Sequence, residues 1–184
     1  MTQAEAIAEA RRSFESHIKA VAEEIKNLDG PALVWAPDAS AWSILQIADH
    51  LLVTHHSYLE RMRQVIDQSS PADAASPYTP TWIGRTLRRA AGPGGNAPAP
   101  KMFHPRRNPP REVLDELILQ WRELMVLCDA CQGRSVTRPA ISTPMSPVPK
   151  MSVVDALLLH ADHGLRHLEQ MRDRVRASQL VPAP

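Results

Sequence analysis

Two histidines, His163 and His167, stand four residues apart in a segment with the apolar rhythm of an amphipathic helix. On an α-helix, positions i and i+4 share a face, with Cβ atoms about 5–6 Å apart. That spacing lets two imidazoles hold one metal ion, as in zinc-binding helices with the same pair. A third ligand has to come from another element, and His50, just after the strongest helix-start signal in the chain, is the candidate. Three imidazoles on a divalent ion leave at least one coordination position for water, thiol or substrate. Such an ion lowers the pKa of bound water or thiol toward neutrality. Zinc would be tetrahedral, whereas nickel or iron accepts more ligands. Each ligating imidazole needs an acceptor for its other ring nitrogen, and Asp49 and Asp162 are near in sequence.

Spacing alone leaves the alternative open. At 100° per residue, His160, His163 and His167 border the apolar stripe of their helix rather than centre on it, and His50 lies off the strict seam of its own. Three solvent-facing rings in a polar arc fit the same pattern. His55 falls on an apolar seam and reads as a buried neutral ring with one hydrogen-bond partner. His17, His56 and His104 carry no assignment.

Four amphipathic segments must position these side chains. The first runs from about Gln3 to Leu28, with Ile7, Phe14, Ile18, Val21 and Ile25 forming one stripe ended by Gly30-Pro31. The second starts at Ser43, whose pairing with Gln46 is a capping box, with Trp42 placed to staple onto Ile47. Leu45, Ala48, Leu52, His55, Leu59, Met62 and Ile66 continue it at bundle spacing. The third opens near Asn108-Pro109-Pro110 and carries Leu114, Leu117, Trp121, Leu124 and Cys128. The fourth opens at Ser152, answered by Asp155, with a seam from Val154 to Val175. Four such helices and no convincing strand predict an all-α four-helix bundle in one domain, residues 1–180, followed by a frayed tail, 181–184. The short link between the first two helices predicts antiparallel neighbours.

The connection from the second to the third helix, residues 69–110, is long enough to cross the bundle. It holds Arg85, Arg88, Arg89, Lys101, Arg106 and Arg107 against a single acid, Asp73. One reading is a basic lid over an anionic substrate; the other is a solvated connector. Trp82 is placed to pin part of it to the core. Gly92-Pro93-Gly94-Gly95 lacks the Lys-Ser/Thr and helix of a phosphate loop and reads as flexible linker.

Bulk properties close off several classes. A hydrophobic content of 43% with 22% charged residues fits a globular chain. The net charge of +1 gives no global attraction to nucleic acid or anionic lipid, and 4% aromatics make a base-stacking platform improbable. No apolar run approaches the roughly 20 residues needed to span a bilayer. The opening residues show no signal peptide, and with two cysteines a cytoplasmic location is expected. Cys128-x-x-Cys131 falls at the end of a helix, where the dipole opposes thiolate formation, so packing rather than redox chemistry is expected.

The block Trp42-Ser43-Ile44-Leu45-Gln46-Ile47-Ala48-Asp49-His50-Leu51, the later His163-Gly164-Leu165-Arg166-His167, and Gln170 resemble the DinB/YfiT-like superfamily. The resemblance implies a four-helix bundle with an up-down-down-up course and a long second-to-third crossover. It also implies a three-histidine metal site: one histidine eight residues after a helix-two tryptophan, and two from a His-x-x-x-His pair on the last helix. Those positions are His50, His163 and His167, with His160 as an accessory. The implied cofactor is a divalent ion (nickel, zinc or iron), with a low-molecular-weight thiol as cosubstrate. The implied activity is that of a thiol S-transferase or isomerase acting on a small molecule. A metal-dependent hydrolase and a non-catalytic ligand- or protein-binding bundle with a vestigial metal site are the alternatives. A homodimer is expected, with apolar residues off the seams, such as Leu159, at its interface; neither nucleic acid nor membrane is an expected partner.

Overall fold

The computed structural model describes residues 1–73 and 75–179; the tail expected at 181–184 lies outside the described residues. Four long helices carry the fold: α1 (Gln3–Ala20), α3 (Ile44–Asp67), α5 (Val113–Ala130) and α6 (Val153–Ser178). Two short ones, α2 (Gly30–Val34) and α4 (Trp82–Ala91), sit in the connections. Three of the four long helices start at a cap their sequence specifies, whereas α5 starts at Val113, after the expected Asn108-Pro109-Pro110, with no side-chain cap. Ser43 and Ser152 accept the amide hydrogens of Gln46 and Asp155, and those side chains accept the cap amides in return. Thr2 and Glu5 form a third such box at the start of α1.

The apolar stripes meet as the periodicity requires. Phe14, Ile47, Leu51, Met62, Leu117, Trp121 and Leu157 are all fully buried in one continuous core. The packing order differs from expectation. α1 packs on α5 and α6, and α3 packs on α5 and α6, so α1 and α3 lie across the core from each other rather than side by side. The link between them is not a tight hairpin. α1 runs on as a π-helical turn through Val21–Ile25 and stops before Leu28. Asp29 then caps a new helix, its Oδ1 accepting from the Ala32 amide at 2.9 Å. Gly30-Pro31 therefore opens α2 instead of merely ending α1, because proline lacks only an amide that the first turn leaves unpaired anyway.

Two other expectations need correction. A two-stranded antiparallel sheet, β1 (Ile141–Thr143) and β2 (Ser146–Met151), precedes α6, with Ile141 paired to Met151. Pro147 and Pro149 hide it in the sequence, since proline normally argues against a strand away from an edge. The 69–110 crossover is not featureless: Thr81 caps α4, and Ile83, Leu87 and Ala91, spaced by four, pack on the core. Trp82 does not pin it; that ring is 59% exposed.

The crossover is held instead by Asp155. This fully buried carboxylate caps α6 and also accepts from the Tyr78 hydroxyl at 2.8 Å and the Thr81 hydroxyl at 2.9 Å. Gly84 faces it with no side chain, since a Cβ there would collide with the carboxyl group. Asp155→Ala is expected to destabilise the protein by about 3–5 kcal/mol, because it leaves several buried donors without an anionic acceptor. A shift in urea midpoint at constant slope measures it; a change under about 1 kcal/mol would show that the carboxylate is not the anchor. Gly164 serves α6 in the same way: a Cβ there would meet His17 Nδ1 at 2.8 Å, so only glycine allows α1 this close. Among the described residues, no helix is long and apolar enough to cross a membrane.

Candidate metal centre

His50 projects from the second turn of α3, and His163 and His167 project from one face of α6. None of the three is solvent-facing: their exposures are 3%, 6% and 4%. The polar-arc alternative fails because α3 and the crossover cover that edge of α6. Nε2 of His163 lies 3.0 Å from Nε2 of His167 and 3.3 Å from Nε2 of His50. One candidate ligand atom from each of the three lies within 4.8 Å of the others, a grouping able to hold a metal ion.

The outer nitrogens decide which way the lone pairs point. His50 Nδ1 donates to the Phe103 carbonyl at 2.7 Å, and His167 Nδ1 donates to Gln170 Oε1 at 2.7 Å. Both acceptors require the proton on Nδ1, so Nε2 of each ring presents a lone pair inward. His163 Nε2 carries at most one proton and so satisfies at most one of them. A cation at the centre resolves this conflict. Two nitrogens about 2.0–2.1 Å from one tetrahedral zinc are about 3.3 Å apart, close to what the rings already show. The donor set and its spacing therefore fit a divalent ion.

Burial sets the protonation. It holds the His50 and His163 rings below the ordinary imidazole value, His163 far below, and pushes His167 down to about 3. The neighbouring imidazoles depress His163 and His167 further. Neutral rings are what a metal requires.

The carboxylates near in sequence are not the acceptors. Asp49 is buried and grips Arg106, with Oδ1 accepting from Nη2 at 2.6 Å and Oδ2 from the backbone amide at 2.6 Å. It fixes the crossover segment that carries Phe103, and so supports His50 through that carbonyl as well as by its charge. Asp162 pairs with Arg88 at 2.6 Å and ties α4 to α6. Sequence reasoning missed both true acceptors. A backbone carbonyl leaves no signal, but Gln170, three residues after His167 on the same helix, was within reach of an i, i+3 argument. Gln170→Ala is expected to weaken metal binding roughly 10–100-fold. Competition with a chromogenic chelator reads this out, and unchanged affinity would deny the amide any positioning role.

The triad opens into a cavity of about 530 Å³. Trp42 forms part of its wall and lies against the His50 ring, centroids 4.8 Å apart. The crossover closes another side with Leu87, Ala90, Ala97 and Phe103. Among the described residues, none of the crossover cations Arg85, Arg88, Arg89, Lys101, Arg106 and Arg107 lines the cavity, so the lid does not present its charge inward. Arg88 and Arg106 pair with Asp162 and Asp49, and Arg85 donates to the Pro80 carbonyl.

A family model described as the DinB superfamily matches residues 8–171. The chain belongs to the DinB superfamily. The match runs through α3 and α6 and contains all three imidazoles of the centre. No curated protein and no solved structure matches the chain.

The other histidines of this DinB-superfamily chain divide by burial. His56 and His104 are exposed. His160 and His55 are fully buried, with ring centroids 4.8 Å apart, and His160 reaches the cavity. The expectation for His55 is one hydrogen-bond partner; among the described residues neither of its nitrogens makes a well-formed hydrogen bond, with the Gln120 side chain acting on it and the rings of His160 and Trp121 packed beside it. Cys128 and Cys131 are buried free thiols, and burial pushes Cys131 up to about 12, which leaves it inert as a nucleophile. Leu159 is 6% exposed within the single chain, so it covers no interface.

Proposed function

We propose that this chain is a metal-dependent enzyme in which His50, His163 and His167 hold one divalent ion (zinc, nickel or iron) and a low-molecular-weight thiol is the cosubstrate, used for S-transfer or isomerisation. The observation that supports this most directly is the convergence of three buried imidazole Nε2 atoms, two of them oriented by outer hydrogen bonds, on the wall of a cavity. Such an ion would supply a Lewis acid that makes a bound thiol or water nucleophilic near neutral pH. The protein's own part is positional. Phe103 and Gln170 hold the His50 and His167 rings in one tautomer, Asp49 anchors the crossover at Arg106, and the crossover covers one side of the cavity.

Thiol is favoured over water on one ground. Among the described residues no carboxylate lines the cavity, so a water nucleophile lacks the usual acceptor for its proton. A thiol ionises far more readily than water and needs less help. In S-transfer the sulfur forms the new bond to carbon, the leaving group departs with its electron pair, and the thiol proton goes to solvent. The up-down-down-up course of the four long helices, the single domain over 1–180 and a homodimer belong to the same reading. With Leu159 inside the chain, exposed Leu119 and Val126, seven residues apart on one face of α5, are the residues suited to a dimer contact.

Protein purified without a histidine tag should carry close to one metal per chain by elemental analysis. It should also consume a thiol such as cysteine or glutathione against monochlorobimane, with activity lost on chelation and restored by metal. Full metal occupancy with no metal-dependent turnover across a panel of thiols and hydrolysable esters would leave a binding module with a vestigial centre.

A further inference from the structure

The cavity beside the histidines has a charge pattern that the metal does not use. Two guanidinium groups line it, Arg166 and Arg174, and among the described residues no acid does. With Gln170 they form a row on α6 spaced by four, next to the row that carries His163 and His167. Arg166 donates to the Ala90 carbonyl at 3.4 Å, a long contact, and Arg174 donates through Nε to the Trp42 carbonyl at 3.0 Å. Among the described residues neither has a carboxylate within ion-pair distance. Asp38, which feels the charge of Arg174, is engaged by the Ser40 and Ala41 amides and lines a different cavity. By contrast Arg88, Arg106 and Arg172 are each matched to an acid.

Two half-buried cations with no carboxylate partner among the described residues, beside a largely apolar wall, favour an anion there, since charge-assisted contacts gain strength where water is partly displaced. The remaining wall is apolar, with Ile47, Leu87, Leu159 and Phe103. We propose that Arg166 and Arg174 form an anion-recognition subsite, so that the ligand of this cavity is a small organic carboxylate with an apolar body. The assignment rests on the same cavity as the thiol-enzyme reading and narrows its substrate class.

The test compares hexanoate with hexanamide, equal in size and differing in charge, by titration calorimetry on the zinc-loaded protein. Hexanoate should bind roughly tenfold tighter or better. The preference should persist in chelator-stripped protein and vanish in Arg166→Gln/Arg174→Gln. Equal binding to the wild type overturns the proposal. So does a preference that survives the double arginine change, since the carboxylate would then be bound elsewhere. Zinc content measured on each sample keeps the two ideas apart: absence of zinc binding defeats the metal reading and leaves the hexanoate preference to be judged by itself.

Discussion

His163→Ala is expected to remove the metal, lowering zinc affinity by roughly a hundredfold or more, beyond what loss of an outer hydrogen bond alone would cost. The reason is position. His163 Nε2 is the atom nearest both other ligands, at 3.0 and 3.3 Å, so its loss leaves two nitrogens on different helices with nothing between them. The fold should survive. Alanine is the best helix former, and the deleted ring is a desolvated polar group whose burial stabilises nothing by itself. Chelator competition and elemental analysis on tag-free protein measure the change, with exposed His56→Ala as the control. A variant that keeps one tightly held metal would place the ion elsewhere and dissolve the centre.

Acid should unfold the metal-free protein early. Six imidazoles, His17, His50, His55, His160, His163 and His167, are buried, and burial lowers every one of them; His17 falls to about 4 and His160 and His167 to about 3. Between those values and the ordinary imidazole pKa of about 6.5, the unfolded chain takes up protons that the folded one refuses. Stability is therefore complete above that value and lost as pH falls toward the folded values. Each such group contributes a slope of about 1.4 kcal/mol per pH unit, so several together exhaust a typical 5–15 kcal/mol domain within roughly two units. Urea midpoints followed from pH 7.5 to 4.5 should fall steeply below about pH 6. Zinc should move the fall to lower pH, because ligation competes with protons for the same nitrogens. A flat profile to pH 5 would mean that these rings protonate without opening the core.

Residue types and spacing determined the helices that matter for function. Ser43 with Gln46 and Ser152 with Asp155 are local contacts, readable because a cap and its partner lie three residues apart. The apolar periods that fill the core are equally local. The grouping of His50 with His163 and His167 was legible only through resemblance, since 113 residues separate the first two. Periodicity alone placed the α6 rings at the border of the apolar stripe and left open whether they face solvent or a site.

Tertiary structure decided everything that depends on what covers what. It set α1 opposite α3, hid Leu159, left Trp82 outside and turned the crossover into a lid whose cations Arg88 and Arg106 are matched by Asp162 and Asp49. It chose a backbone carbonyl, that of Phe103, to orient His50, and no side-chain identity encodes that choice. It also buried the imidazoles, and so made them neutral. Helix caps and stripes are short-range properties carried by neighbours in the chain. Burial and long-range hydrogen bonding are properties of the enclosure, which exists only once the separate helices have packed.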